Sequence, residues 1–238
     1  MNLKDEELLY NNMITTALVP ISSISSNRNK IVLKIEEFVK RTIDIIGSLI
    51  GIILLIPITI AIYFANWISK DKGPVFYTQE RYGKNGKVFK MYKYRSMVVG
   101  ADEKLEKYLA ENEEARKEYD EYKKLRDDPR VTKVGEFIRK TSIDEFPQFI
   151  NVLKGEMTLV GPRPYLPKER EDINGFFNYI TAVKPGVTGF WQVNGRSDVT
   201  FVDRLEMDMN YYYNHTLKLD IKILKQTVEK LVKREGAI

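Results

Sequence analysis

Asp144 and Glu145 stand side by side in KTSIDEFPQF, behind Arg139 and Lys140 and ahead of Pro147. Adjacent carboxylates offer a nucleophile and oxygen ligands for a hard divalent cation. Ser142 with Glu145 three residues on fits a capping box, and Pro147 is tolerated only in a first helical turn. The spacing therefore predicts a helix beginning between Ser142 and Asp144. Such a helix start, with Arg139 and Lys140 nearby, would hold Asp144 ionised, as a carboxylate nucleophile requires. Acids also favour helix starts for structural reasons alone, so the pair by itself does not define a site. Downstream, Gly161-Pro162-Arg163-Pro164 mounts a guanidinium on a stiff turn, preorganised for bidentate phosphate binding, with a structural salt bridge as the other reading. Upstream, Lys90, Lys93 and Arg95 lie along a predicted strand whose alternation sets Lys93 and Arg95 apart from the 90/92/94 face, where they can meet the same phosphates. Arg196, in VKPGVTGFWQVNGRSDVTF, is a further candidate contact to a polar ligand, whereas His215 reads as a surface or structural histidine.

These residues must do without much other chemistry. The 238 residues include no cysteine and one histidine. Disulfides, thiolate nucleophiles, cysteine zinc sites and multi-histidine metal sites are thereby excluded, leaving carboxylates, hydroxyls, Lys/Arg and hard metals. Lys and Arg total 38 against 33 acids, a net charge of +5. That suits an anionic partner: a nucleic acid, a phosphorylated small molecule or an anionic membrane.

The elements that carry the candidates begin with a membrane segment. From Ile45 to Ile68, 24 residues pass without a charged side chain, and at about 1.5 Å per residue such a helix reaches roughly 36 Å, enough to span a bilayer. Pro57 in its middle predicts a kink near Leu54 to Ile56, with Thr59 or a neighbouring hydroxyl partly satisfying the freed carbonyl. Five Lys/Arg precede the run within 20 residues and five follow it, so the positive-inside rule favours no side. A kinked span and a helix that enters and leaves by one face both fit. Residues 1–33 read as a flexible tail. Beyond the apolar run, a hairpin is expected to turn at Lys84-Asn85-Gly86. A solvated helical excursion is expected over 102–128; the stretch from Asp102 to Arg130 holds 11 acids and 8 bases. A basic amphipathic helix with a Leu217, Ile221, Leu224, Val228, Leu231 stripe fits either a membrane interface or a domain surface. Tyr211 to Tyr213 and Phe190-Trp191 read as an interfacial aromatic set or as core and rim.

With these blocks in order, the chain from about Lys40 to Val232 resembles the bacterial sugar transferase family, the monotopic polyprenol-phosphate phosphoglycosyl transferases. The resemblance rests on KRTID, GPVFYTQERYG, FKMYKYRSM, DPRVTKVGEFIRKTSIDEFPQFINVLKGEMTLVGPRP and KPGVTGFWQVNGRSD. It implies an α+β, mainly helical fold: a re-entrant membrane helix over 34–69 broken at Pro57, then a membrane-associated catalytic domain over 70–238 with a small β-hairpin and interfacial amphipathic helices. It further implies placement on the cytoplasmic face of the bacterial inner membrane. By resemblance Asp144 attacks the β-phosphate of a UDP-sugar and expels UMP, and undecaprenyl phosphate then takes the sugar phosphate from the aspartate. Glu145, with Asp144, is implied in binding Mg²⁺ or Mn²⁺, Arg163 in phosphate or nucleotide binding, and Lys93 and Arg139 in phosphate contact or dyad support. The sugar implied is a hexose, glucose or galactose, for capsule, exopolysaccharide or O-antigen initiation, with membrane lipids and a homodimer as further partners and no nucleic acid. Family members often carry Ser-Pro at the helix break where this chain has Ile56-Pro57, which removes a hydroxyl from the kink, and the tail is shorter than the four-helix region of the larger members. A non-catalytic membrane-anchored scaffold or regulator of polysaccharide assembly is the alternative; nucleic-acid binding is weak because no aromatic-basic module is present.

Overall fold

The computed structural model describes residues 30–195 and 199–233. Its first element, α1, is one continuous helix over Lys30–Ile68 with Pro57 inside it. The helix thus starts before residue 34, and only residues 1–29 of the expected tail lie outside the described part. By length and composition α1 is long and apolar enough to cross a membrane. Near Pro57 the hydroxyls converge on Leu55: Thr59 Oγ1 donates to its carbonyl at 2.7 Å, and Tyr94 Oη lies 3.2 Å from the same oxygen and 2.6 Å from Thr59 Oγ1. Both hydroxyls bond Leu55 rather than Ile53, whose carbonyl is the one that Pro57 leaves without an amide partner, so the expected satisfaction of the freed carbonyl by Thr59 does not occur.

Strands β1 (Phe76–Tyr82) and β2 (Val88–Tyr94) pair antiparallel, Tyr77 opposite Lys93 and Arg81 opposite Phe89. They reverse through Lys84–Gly86, where Asn85 and Gly86 take left-handed backbone angles of 60° and 72° in φ, as the turn residues predict. The charged excursion is two helices, α2 (Ala101–Glu111) and α3 (Glu113–Tyr122), closing on a small core of Leu105, Ala115 and Leu125. Asn112 separates them, its side chain capping α3 through the Ala115 amide at 3.0 Å. Helix α4 (Lys133–Lys140) and helix α5 (Gln148–Lys154) flank the acid pair. A second, parallel two-stranded sheet joins β3 (Thr158–Val160) to β4 (Gly186–Thr188), with the short helices α6 (Arg170–Ile173) and α7 (Phe177–Ile180) between them in sequence. The described chain ends in α8 (Phe190–Asn194), α9 (Phe201–Asn214) and α10 (Leu217–Lys233). The expected α10 stripe is divided: Leu224 packs on the main core beside buried Ile223, whereas Ile221, Val228 and Leu231 are exposed. Tyr211 is core, while Tyr212 and Tyr213 meet Tyr179 at the rim with their rings tilted against it.

The domain lies along one flank of α1. Lys40 reaches the Val160 carbonyl and Asp220, and Arg41 bonds the Val152 and Leu153 carbonyls at the end of α5. Buried Asp44 accepts from Thr158 Oγ1 and the Leu159 amide. Further along, Leu55 and Ile62 join Tyr94 and Ile138 in a shared core. The opposite flank exposes Ile46, Ile50, Ile53, Ile56, Ile60 and Trp67.

Close approach of α1 and α5 depends on Gly51, where an added Cβ would come within 2.3 Å of the Phe149 ring. Alanine there gains about 1 kcal/mol of helix propensity but must push the ring aside at an overpacking cost of about 1–3 kcal/mol. Gly51→Ala is therefore expected to lower the melting temperature of the detergent-solubilised protein. An increase would show that α5 does not seat on α1 in this way.

Candidate active site

The acid pair owes its position to the apolar residues on either side of it. Ile143 and Phe146 insert into the core formed by Leu55, Ile62, Tyr94 and Ile138. With both flanks pinned, Asp144 and Glu145 are held on a short 3-10 turn, Ile143–Glu145, facing β2. The expected capping box does not form. Ser142 takes a left-handed conformation with φ 56° and its side chain caps nothing, because α4 ends at Lys140 and the chain must reverse sharply before the 3-10 turn. The α-helix proper starts only at Gln148, after Pro147.

Lys93 comes to the pair from β2, its Nζ 3.0 Å from Glu145 Oε1 and 4.0 Å from Asp144 Oδ2. The two acids differ in environment: the Asp144 side chain is 15% exposed and that of Glu145 39%. Burial pushes the Asp144 carboxyl up to about 6, helped by the Glu145 charge and opposed by Lys93 and Arg139. This corrects the expectation that the dipole and nearby cations dominate: desolvation wins, and the group is a stronger base than an ordinary aspartate while still ionised in its majority at neutral pH.

Arg163 sits on the Gly161–Pro164 turn that follows β3. Its amide donates to Asp208 Oδ2 at 3.1 Å, and its guanidinium lies 5.9 Å from the Trp191 ring and 5.8 Å from Tyr165. Among the described residues its Nε is buried without a hydrogen-bond partner, which is not the behaviour of a structural salt bridge. Arg81 of β1 joins the two groups: its Nη1 donates to the Pro164 carbonyl at 2.9 Å, and its charge is felt by both Arg163 and Glu145. Burial, with Arg163 repulsion, lowers Arg81 to about 10. Arg204 of α9 is lowered to about 10 by the same two causes, burial first, and packs 5.6 Å from the Trp191 ring.

The other candidates fall as follows. Arg139 ends α4 close enough for its charge to act on Asp144. Arg95 is engaged elsewhere, in an ion pair with Asp71 at 2.9 Å and hydrogen bonds to the Pro74 and Met97 carbonyls that secure the loop after α1. Arg196 lies outside the described residues. The pattern-based reading missed Arg81, Arg204, Asp208 and Tyr165. One signal was present: Phe201, Arg204, Leu205, Asp208 and Tyr211 repeat at helical spacing and are all buried, so two charged residues occupy the apolar stripe of α9.

Among the described residues no group of three or more carboxylates and histidines gathers to hold a metal. Asp144 and Glu145 supply two carboxylates, a donor set that suits Mg²⁺ when phosphate oxygens and water complete its octahedron.

Against this geometry, the family assignment is direct: the chain matches the bacterial sugar transferase family over residues 35–234 and belongs to it. It is 47% identical over 202 residues to the UDP-galactose-lipid carrier transferase of Erwinia amylovora, covering 85% of this chain and 42% of that protein. It is 44% identical over 210 residues to the undecaprenyl-phosphate galactose phosphotransferase of Salmonella typhimurium, covering 88% and 44% respectively. It is also 38% identical over 205 residues to the UDP-glucose:undecaprenyl-phosphate glucose-1-phosphate transferase of Escherichia coli, covering 82% and 40%. The chain thus spans less than half the length of these relatives.

A raised carboxyl makes the site a source of pH dependence. The folded Asp144 holds its proton up to about 6, against 3.8 for an ordinary aspartate carboxyl. Its contribution to stability is therefore present below pH 4 and lost as pH rises through 6. In metal-free buffer Asp144→Asn is expected to melt higher than wild type at pH 7 and to lose that advantage by pH 4. Equal melting temperatures at pH 7 would show that the carboxylate is not desolvated in the fold.

Proposed function

We propose that this protein is a phosphoglycosyl transferase that moves a sugar 1-phosphate from a UDP-sugar to undecaprenyl phosphate. The observation that carries this reading is the Lys93, Asp144 and Glu145 constellation, with its buried, basic carboxylate, in a chain of this family. An Asp144 oxygen attacks the β-phosphorus; the bond from that phosphorus to the bridging oxygen breaks, and UMP departs with the electron pair. The sugar phosphate is left on Asp144 as an acyl phosphate. An oxygen of undecaprenyl phosphate then attacks the same phosphorus, the aspartyl bond breaks, and Asp144 regains its charge.

The approach of one anion to another needs positive charge at the reacting centre. Lys93 is already within ion-pair distance of both acids, Arg139 stands behind Asp144, and Arg163 and Arg81 extend the field from the Gly161–Pro164 turn. Glu145, with Asp144, would hold Mg²⁺, which when bound supplies Lewis-acid charge neutralisation at the phosphate oxygens.

Entry of a lipid acceptor is supported by α1. From Lys40 to Ile62 the helix is lined on one flank by the catalytic domain, a distance of roughly 33 Å along a straight helix. A span perpendicular to the bilayer would carry polar surface of the domain into hydrocarbon, which costs several kcal/mol per unsatisfied group. A helix that enters and returns by the cytoplasmic face of the inner membrane, bending at Pro57, avoids that cost and keeps Asp144 on the side where UDP-sugars are found. The sugar is read as galactose or glucose, since the relatives' names carry those two.

The decisive assay is UMP release from UDP-galactose and UDP-glucose with undecaprenyl phosphate and Mg²⁺. Wild type is expected to turn over one of them, Asp144→Asn to lose at least about a thousandfold in rate along with covalent labelling, and chelation of divalent cations to stop the reaction. Near-normal turnover by Asp144→Asn would remove the covalent mechanism. Absence of UMP release from any UDP-sugar by wild type would remove the reading itself.

A further inference from the structure

Asp208 is a carboxylate with no exposed surface, on the inner face of α9, and no step above uses it. Its Oδ2 accepts two hydrogen bonds, both from the turn that carries Arg163: the Arg163 amide at 3.1 Å and the Tyr165 hydroxyl at 2.8 Å. Among the described residues its Oδ1 has no partner, and neither do the nearby Arg163 Nε and Trp191 Nε1, although all three atoms are buried. Unpaired buried polar atoms are rare enough in folded proteins that a cluster of them calls for an explanation in function. The charge balance points the same way. Arg81, Arg163 and Arg204 repel one another through Arg163, and the carboxylates whose charges act on them include Asp208, on Arg204, and Glu169, which is buried and bonded to the Leu166 amide.

We propose that Asp208 is a positioning residue: by clamping the Arg163 amide and the Tyr165 hydroxyl on one oxygen, it fixes the Gly161–Pro164 turn so that the Arg163 guanidinium is presented to the diphosphate of the donor. The proposal rests on the phosphoglycosyl transferase reading of the site. Two features make the clamp specific. Pro162 and Pro164 stiffen the turn on both sides of Arg163, Pro164 by holding Arg163 to extended backbone angles, and the amide of Arg163 ties that stiff turn to α9 through Asp208. The Tyr165 ring packs against Ile173, Ile180, Phe201 and Leu205, so the hydroxyl arrives at Asp208 from a fixed direction. Burial raises Asp208 to about 7, against the opposing effect of the Tyr165 and Arg163 hydrogen bonds and the Arg163 and Arg204 charges. A carboxylate is an expensive group to keep here, and an apolar residue would fill the space without making either bond.

The test measures UMP binding at equilibrium and the steady-state constants for the UDP-sugar, on the full chain in detergent. Asp208→Ala loses both acceptors and is expected to weaken UMP binding and raise KM by about tenfold or more, with kcat within about threefold of wild type. Asp208→Asn keeps an oxygen where Oδ2 stands and is expected to stay within about twofold of wild type on all three. Tyr165→Phe removes one bond without emptying the core and is expected to weaken UMP binding about fivefold, which keeps the test open should Asp208→Ala fold poorly. Because Asp208 acts through Arg163, the Arg163→Ala, Asp208→Ala double variant should bind UMP no more weakly than Arg163→Ala alone. Additive losses in the double variant, or wild-type UMP affinity in Tyr165→Phe or in a folded Asp208→Ala, would overturn the proposal while leaving the transferase reading intact. A wild-type protein that neither binds nor releases UMP would overturn both.

Discussion

Three polar side chains in the first half of α1 fix the geometry of nearly everything that follows. Asp44 takes the Thr158 hydroxyl and the Leu159 amide, Lys40 takes the Val160 carbonyl, and Arg41 takes the last carbonyls of α5. Strand β3 is thereby registered on a helix that is otherwise apolar, and both candidate groups leave from it or from its neighbour: the Gly161–Pro164 turn continues β3, and the acid pair precedes α5. A buried carboxylate left without these donors would cost several kcal/mol, so the seam has one register that satisfies it. The shared core of Leu55, Ile62, Tyr94 and Ile138 then fixes the other end of the same flank.

Much of the fold could be read from local pattern, because local rules decided it. The apolar run, the left-handed turn at Asn85-Gly86 and the two-sided character of α10 follow from hydropathy and turn chemistry. The helix boundary at the acid pair was misplaced because the capping-box spacing of Ser142 and Glu145 is necessary but not sufficient. What overrode it was tertiary: Ile143 and Phe146 both reach the core, and the chain between α4 and α5 can deliver them only by a left-handed step at Ser142. The basicity of Asp144 was hidden for a related reason. Cations beside it are visible in the sequence, whereas the protein that covers it comes from elements distant in the chain. Arg95 misled in the opposite sense, since alternation along β2 says which face a residue takes but not that Asp71 awaits it. The stripe of α9 held a usable clue, two charges among its apolar positions, that no motif describes.

The site also shows how positive charge is distributed when it must be both buried and available. Lys93 is paired with the acids, Arg95 is committed to a loop, and Arg81, Arg163 and Arg204 stand together around one turn. Arg81 and Arg204 are lowered to about 10 and remain charged at neutral pH. The repulsion is tolerated because aromatic faces and backbone carbonyls, rather than carboxylates, take up much of the hydrogen-bonding and polarisation: Trp191 and Phe201 beside Arg204, and the Pro164 and Tyr122 carbonyls at Arg81 and Arg204. Neutral partners of this kind cancel none of the cluster's charge and leave that to carboxylates such as Glu169 and Asp208.

The hydroxyl contact at the proline has a mechanical consequence. Tyr94 bonds the Leu55 carbonyl of α1, and the residue before it in β2 is Lys93, which touches both acids. Leu55, two residues before Pro57, and the Asp144 carboxylate are therefore linked through two neighbouring residues of one strand. Helix and domain, joined along this flank, would tilt as one body, and the position of Asp144 relative to Pro57 would not change. Any group that meets Asp144 therefore does so at a height above Pro57 that is set by the protein itself.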